Sequence, residues 1–456
     1  MSGFYEFPKD FKWGTATSSY QIEGAVDQGG RSPSIWDEFS HRTGTIRNNE
    51  NGDVACDHYH RWKEDIQLMK QLGYKAYRFS IAWPRILPDG SGRINQQGID
   101  FYNRLIDEML QSDIEPFLTL YHWDIPTKLK GAWLNRDSAY AFEEFSDVCA
   151  RSFGDRVKRW MTINEPICAS FLSYTWGHHA PGLTDPYQGL VAAHHLLLSH
   201  GLAVKTIRSH YPDAEIGIAL NPASVYPLTD SKVDHQIANQ AETRQNRWFS
   251  DPVYKGSYPV EAVQAYIELG VLKNETPDFI HSGDMEIISI PTDFLGINYY
   301  TRQVYHTDQS EMPSVDHFKS LPAPLDNQTE MGWEIFPQGL FDLLKKVNDE
   351  YHPQKILITE NGASYSYAPD NFGKIEDPKR IEYLDMHLQA VAKAIQAGIP
   401  VKGYFLWSFM DNFEWAQGYS QRFGLVYVDY KTQKRTPKAS AYWYGKVIKD
   451  NGLALK

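Results

Sequence analysis

The chain has 456 residues, 42% hydrophobic and 14% aromatic, with 13 Trp, 28 Tyr and 22 Phe, so it can bury a large core and still line a cleft with rings. Its formal net charge of −12, without a basic stripe or an Arg/Lys run, argues against a nucleic-acid partner, because phosphate backbones are held by clustered cations. Its three cysteines, Cys56, Cys149 and Cys168, stand far apart with no Cys-x-x-Cys pair, which suggests neither a disulfide framework nor a zinc site. Residues Met1 to Asp10 carry Glu6, Lys9 and Asp10 rather than an apolar segment with a cleavage site. Nowhere do about 18 apolar residues run uninterrupted. The expectation is a soluble cytoplasmic protein in a reduced compartment, with no membrane partner.

Strand-like runs alternate with helix-like stretches along the chain. The predicted strands are Phe11 to Thr15, Ala76 to Ile81, Pro116 to Tyr121, Arg159 to Ile163, Glu215 to Leu220, Phe294 to Asn298, Lys355 to Thr359 and Gly403 to Trp407. Between them, Tyr59 to Leu72 places Trp62, Ile66, Met69 and Leu72 at helical spacing, and Ile99 to Gln111 does the same with Tyr102, Leu105, Ile106 and Met109. Alternating β and α units imply a parallel sheet with helical crossovers. Eight such units without a Gly-rich dinucleotide turn predict a closed α/β barrel, a (β/α)8 TIM barrel, over an open doubly wound sheet. No repeat or low-complexity linker divides the chain, so residues 1–456 are read as one domain. The segment Asp308 to Asn327, rich in Pro, Ser and Asp, reads as an extended loop on the active face.

In such barrels chemistry gathers at the carboxyl ends of the strands, and here those ends are polar or aromatic. Gln21 and Glu23 come soon after the first strand, Arg78 lies in the second, and His122 and Trp123 follow the third. Asn164 and Glu165 close the fourth, Asn298 and Tyr300 the sixth, Glu360 the seventh and Trp407 the eighth. Two segments say most: Thr162-Ile163-Asn164-Glu165-Pro166 and Ile358-Thr359-Glu360-Asn361-Gly362 each deliver a Glu to a loop mouth rather than to a core. Two carboxyl groups across one cleft can divide labour, one protonated as acid and one ionised as nucleophile, which is what glycoside cleavage requires. Taken singly, a strand-end Glu is more often a solvated charge or a helix cap. His122 can equally bond a core carbonyl, and Arg78 can serve a buried ion pair. A metal site is not favoured. His58, His60, His178, His179, His194 and His195 are abundant, but adjacent histidines diverge on a helix and no His-Glu-x-x-His pattern occurs. No Gly-x-Ser-x-Gly elbow marks a serine hydrolase.

From Phe11-Lys12-Trp13-Gly14-Thr15-Ala16-Thr17-Ser18-Ser19-Tyr20-Gln21-Ile22-Glu23-Gly24 to Asp411-Asn412-Phe413-Glu414-Trp415, the chain resembles glycoside hydrolase family 1, particularly its β-glucosidases, over essentially its whole length. The resemblance implies the (β/α)8 barrel and hydrolysis of β-glucosides or cello-oligosaccharides with retention, through a covalent glycosyl-enzyme and without a cofactor. Position by position it implies Glu165 as general acid/base and Glu360 as nucleophile, with Arg78, Asn298 and Tyr300 supporting the pair. A cation and a phenol donor beside Glu360 are expected to favour its charged form. Gln21, His122, Asn164, Glu414 and Trp415 match residues that bind the sugar hydroxyls. Trp407 matches the platform under the ring, Trp123 and Phe423 match pocket walls, and Trp333 resembles an aromatic on the aglycone side. Relatives acting on 6-phosphorylated sugars carry a Ser/Lys/Tyr phosphate set, whereas this chain has Glu414 with Ser420, Gln421 and Arg422. A carboxylate beside O6 would repel a phosphate dianion. The expected substrates are therefore unphosphorylated glucosides, with galactosides and fucosides secondary. The rivals are a 6-phospho-β-glucosidase and a non-catalytic glycan-binding barrel. A homo-oligomer is compatible with the sequence.

Overall fold

Each of the eight predicted strands forms within two residues of its expected bounds, and together they close into one parallel barrel in a computed structural model that describes residues 3–306 and 321–454. The strands are β1 (Lys12–Ala16), β2 (Ala76–Ser80), β3 (Glu115–Tyr121), β4 (Arg159–Asn164), β5 (Glu215–Leu220), β6 (Phe294–Asn298), β7 (Ile356–Asn361) and β8 (Val401–Trp407). Each pairs with its sequence neighbours, and β8 returns to β1. The layer outside includes α1 (His58–Gln71), α2 (Gln96–Gln111), α3 (Asp137–Phe153), α4 (Pro186–His210), α5 (Lys232–Glu242), α6 (Pro337–Tyr351), α7 (Pro378–Gln396) and α8 (Ala439–Asp450). Of the loop expected over Asp308 to Asn327, residues 308–320 lie outside the described part.

Two apolar cores follow from the alternation of side chains along the strands. The larger lies between barrel and helices, and a smaller one fills the lumen with Ala76, Phe117, Met161, Phe294, Leu357 and Phe405 among others. The rings of Phe117 and Phe405 meet across the lumen at 4.5 Å. Gly14 in β1 leaves room for them, since a Cβ there would come within 2.5 Å of Phe405.

The amino-terminal rim of the barrel is laced by charge. Lys12 bonds Glu115 at 2.8 Å, Arg159 reaches both Glu115 and Glu215, and Lys355 bonds Glu215 at 3.1 Å. Beneath that rim, Phe4–Glu6 pairs antiparallel with Gly452–Ala454.

Helix α4, with 25 residues, is long and apolar enough to cross a bilayer, yet 89% of its most apolar 18-residue window is buried in the molecule. Its histidines hold neighbouring elements. His194 bonds Tyr258 (3.0 Å) and Asp284 (2.9 Å), His195 bonds the Trp133 carbonyl (2.8 Å), and His200 bonds Thr162 of β4 (2.7 Å). Among the described residues, no three His, Cys, Asp or Glu side chains converge as a metal-ligand set.

Candidate active site

The two strands that carry the paired carboxyls both break their register just before them. In β4, Met161 and Asn164 face Gly217 and Ala219, three residues against two. In β7, Ile358 and Glu360 face Ile297 and Asn298, two against one. A bulge adds one residue to a strand and re-aims the side chains beyond it. Met161 lies in the lumen and Thr162 turns outward to α4 as alternation requires, but Ile163 also packs in the outer core, so that Asn164 returns to the lumen. Thr359 and Glu360 both face inward, the first toward Asn298 and the second toward Arg78 and Tyr300.

One hydrogen-bonded network joins the two carboxyls. Arg78 Nη1 donates to Glu360 Oε1 (2.6 Å) and to the Thr359 carbonyl (3.0 Å), and its Nη2 donates to Asn164 Oδ1. Tyr300 Oη donates to Glu360 Oε2 at 2.6 Å. Asn298 Nδ2 bridges Asn164 Oδ1 (3.1 Å) and Glu165 Oε1 (2.7 Å). Asn164 Nδ2 in turn donates to His122 Nε2 at 3.1 Å. Glu165 stands in the left-handed region (φ 47°), as do Trp123 (φ 80°) and Trp415 (φ 47°). A non-glycine residue there costs about 1 kcal/mol or more, so the surrounding bonds must hold these three in place. For Glu165 they do: its N–H donates to the Ala219 carbonyl (2.8 Å), and its own carbonyl accepts from Cys168 N (2.9 Å).

Electrostatics separates the carboxyls. Burial, then the neighbouring charge of Glu360, pushes Glu165 up to about 8, against the Asn298 amide. Burial pushes Glu360 up as well. Arg78 and Tyr300 oppose this, as their types suggest, but do not overcome the loss of water. Of the two, Glu360 has a guanidinium and a phenol to stabilise its charge, whereas Glu165 has weaker donors. Burial and the other two carboxyls also raise Glu414 to about 8. Burial and Arg78 keep His122 neutral, well below the usual imidazole range.

Above this floor opens a cavity of about 1290 Å³. Its walls include Trp123, Trp333, Trp407, Glu414, Trp415 and Phe423, together with Glu165, Glu360, His122, Asn298 and Tyr300. Trp123 and Trp415 approach to 4.4 Å, and Trp333 packs on Tyr300 at 5.2 Å and on Phe423 at 6.0 Å. Gln21, Arg78 and Asn164 form the layer immediately behind, with at most 1% of their surface exposed. Gln21 Nε2 donates to Phe413 O (2.9 Å) and reaches Glu414 Oε2 at 3.4 Å, so it orients the segment carrying Glu414.

Glu23, grouped with the strand-end polar residues on sequence, turns away from the cavity. It bonds Arg85 at 3.1 Å and accepts from Tyr102 Oη, where both carboxylate oxygens find donors inside the helical layer. Arg422 also points away, to Asp411 at 2.6 Å, and Lys438 bonds the other oxygen of Asp411 at 2.8 Å. Sequence reasoning did not single out Cys168 and Asn221, which line the cavity beside Glu165. The Cys168 thiol is hydrogen-bonded to Glu165, and Asn221 Nδ2 donates to its sulfur at 3.4 Å. The usable signal was position: Cys168 lies one helical turn beyond the carboxyl.

A (β/α)8 barrel that holds two buried carboxyls in one network at the carboxyl ends of its strands, under an aromatic cavity, defines the class as a barrel glycosidase. A profile of glycosyl hydrolase family 1 matches residues 4–453. The chain is 47% identical over 452 residues to the 1,4-beta-D-glucan glucohydrolase of Thermotoga neapolitana, covering 98% of this chain and 99% of that one. It is 47% identical over 451 residues to beta-glucosidase A of Thermotoga maritima, with the same coverage. The solved family 1 glycoside hydrolase of Thermotoga maritima with a cyclophellitol analogue transition state mimic superposes with TM-score 0.93 at 46% identity, over 99% of this chain and all of that one. The chain belongs to glycosyl hydrolase family 1.

Proposed function

We propose that the protein is a retaining β-glucosidase that removes terminal non-reducing β-D-glucosyl residues from cello-oligosaccharides and from aryl or alkyl β-glucosides. The observation that carries this is the single network in which Arg78 and Tyr300 hold Glu360 while Asn298 holds Glu165. The glucan glucohydrolase and β-glucosidase names of the relatives support the same substrate class.

Glu360 attacks the anomeric carbon as Glu165 gives its proton to the glycosidic oxygen. The carbon–oxygen bond to the aglycone breaks, and a glucosyl ester of Glu360 forms with inverted configuration. Esterification removes the Glu360 charge, one of the causes that hold the Glu165 proton, so Glu165 gives up protons more readily at the moment it must act as base. It then takes a proton from water, whose oxygen attacks the anomeric carbon. The ester bond breaks, and the second inversion restores the β configuration. Trp407 lies under the sugar ring as platform, with Trp123, Trp415 and Phe423 as walls. His122 and Glu414 read the hydroxyls, Gln21 and Asn164 hold these two from the layer behind, and Trp333 faces the aglycone.

Unphosphorylated sugars are favoured because Glu414 lines the cavity while neither Arg422 nor Lys438, both bound to Asp411, is among the cavity's lining residues. Galactosides and fucosides follow as secondary substrates, since one carboxyl can meet either orientation of O4. We take the chain as one domain, in keeping with its first and last described strands pairing, and its three buried, unpaired thiols fit a reducing compartment.

The test is release of p-nitrophenol from its β-glucoside, with the 6-phosphoglucoside in parallel, for wild type and Glu360→Gly. Turnover of the neutral substrate, lost in the variant and restored in part by azide as the α-glucosyl azide, is expected. Turnover of the phosphorylated substrate alone would overturn the sugar assignment. Silence on both would favour a glycan-binding role.

A further inference from the structure

Beyond the residues that touch sugar, one ion pair stands out by where it is tied. Arg302 lies two residues after Tyr300, in a short strand (Arg302–Tyr305) that pairs in parallel with Ser224–Pro227 above the barrel. Its guanidinium grips Glu334 with two parallel bonds, Nε to Oε2 at 2.8 Å and Nη2 to Oε1 at 2.9 Å. The same guanidinium lies over the Phe336 ring at 3.8 Å. Thr301 Oγ1 donates to the Glu334 carbonyl at 2.9 Å. The segment so held is a tight loop, with Thr329 N bonded to the Trp333 carbonyl (2.9 Å) and Ile335 N to the Asn327 carbonyl (3.0 Å). Trp333, next to Glu334, is the ring this loop presents to the cavity and packs against Tyr300.

The geometry points to Arg302 and Glu334 as positioning residues that set the aglycone wall: the pair fixes Trp333 relative to Tyr300, and so relative to Glu360, without touching substrate. A bidentate guanidinium–carboxylate pair constrains two angles as well as a distance, which a lysine cannot reproduce. Tyr300 and Arg302 share one backbone segment, so the same stretch that holds the Glu360 carboxyl also holds the wall facing the leaving group. The partner chemistry this serves is a sugar aglycone, whose ring face needs a fixed platform. A small, activated phenol needs it less.

This rests on the β-glucosidase assignment and is tested by Arg302→Met, Arg302→Lys and Glu334→Gln, using cellobiose and 2,4-dinitrophenyl β-glucoside. If wild type turns over neither substrate, the β-glucosidase assignment fails, independently of the clamp. With the activated phenyl glucoside, breakdown of the glucosyl-enzyme limits kcat and no longer involves the aglycone. Arg302→Met is expected to lower kcat/KM for cellobiose about tenfold or more while kcat on the activated substrate stays within about twofold. Arg302→Lys should fall between wild type and Arg302→Met. Combining Arg302→Met with Trp333→Ala should cost little beyond Trp333→Ala alone, because both remove the same platform. Equal loss on both substrates, no loss on either, or full additivity with Trp333→Ala would overturn the proposal. Should Arg302→Met not fold, Glu334→Gln reads the same split, since it keeps size and one acceptor.

Discussion

Glu165 keeps its proton at neutral pH for two reasons that act together: it is removed from water, and a second carboxylate lies in the same network. The pH profile of kcat/KM should therefore fall on the alkaline side as Glu165 ionises near about 8. It should fall on the acid side as Glu360 takes up a proton and ceases to be a nucleophile. Glu165→Gln removes the acid while leaving the nucleophile, so a poorly activated alkyl glucoside should lose about a hundred- to ten-thousand-fold in kcat/KM and an activated aryl glucoside far less. The alkaline limb should disappear with it. Equal impairment of the two substrates, measured by initial rates, would show that Glu165 is not the proton donor. Much of this site was legible at the level of residues, because Asn-Glu-Pro and Glu-Asn-Gly fix a carboxyl at the carboxyl end of a strand. The route by which Asn298 reaches Glu165 was not. Asn298 and Glu165 are 133 residues apart, and no local pattern encodes which side chain an amide will meet.

At the scale of elements, alternation and strand ends announced all eight strands, since each is an apolar run with polar punctuation. The bulges in β4 and β7 left no such mark. Thr162-Ile163 and Thr359-Glu360 look like ordinary continuations, and only pairing with neighbours shows that each strand carries one residue too many. The Arg302–Glu334 pair escaped for a related reason, since it joins a short strand to a loop through side chains 32 positions apart. The charged rim at the barrel's amino-terminal end belongs to this scale as well. Glu115 of β3 is shared by Lys12 of β1 and Arg159 of β4, so Glu115→Gln removes the carboxylate between two cations of the amino-terminal rim. Because these groups are about a third exposed or less, solvent screens them, and the expected loss is about 1 kcal/mol of stability. Denaturant unfolding should show it, with a smaller difference at high salt and unchanged kinetic constants. A change in kcat would mean that the rim communicates with the opposite end of the barrel.

For the molecule as a whole, three buried carboxyls set how stability responds to pH above neutrality. Burial raises Asp124 to about 7, and Glu165 and Glu414 stand at about 8, whereas in an unfolded chain such groups titrate near about 4. Below about pH 7 the buried histidines, including His179, His195, His200 and His387, act in the opposite sense, since the unfolded chain binds the protons they refuse. Above it they are neutral in both states and the folded state binds more protons through the carboxyls, so stability should decline as pH rises from about 7 through about 8. Thermal unfolding should show a lower Tm at about pH 9 than at about pH 7. The slope should flatten in Glu414→Gln, which has no proton to lose, and an unchanged slope in that variant would remove Glu414 from the account. The carboxyls that make the cleft reactive are in this sense a standing load on the fold. That load is borne from below, where Phe4–Glu6 lies beside Gly452–Ala454, and Trp13 Nε1 donates to Asn451 at 2.9 Å. Both ends of the described chain therefore emerge on the side opposite the cleft. An enzyme tethered to a solid support through either end would face its substrate with the cavity outward, and joining the two ends by a short linker would leave the entrance unobstructed.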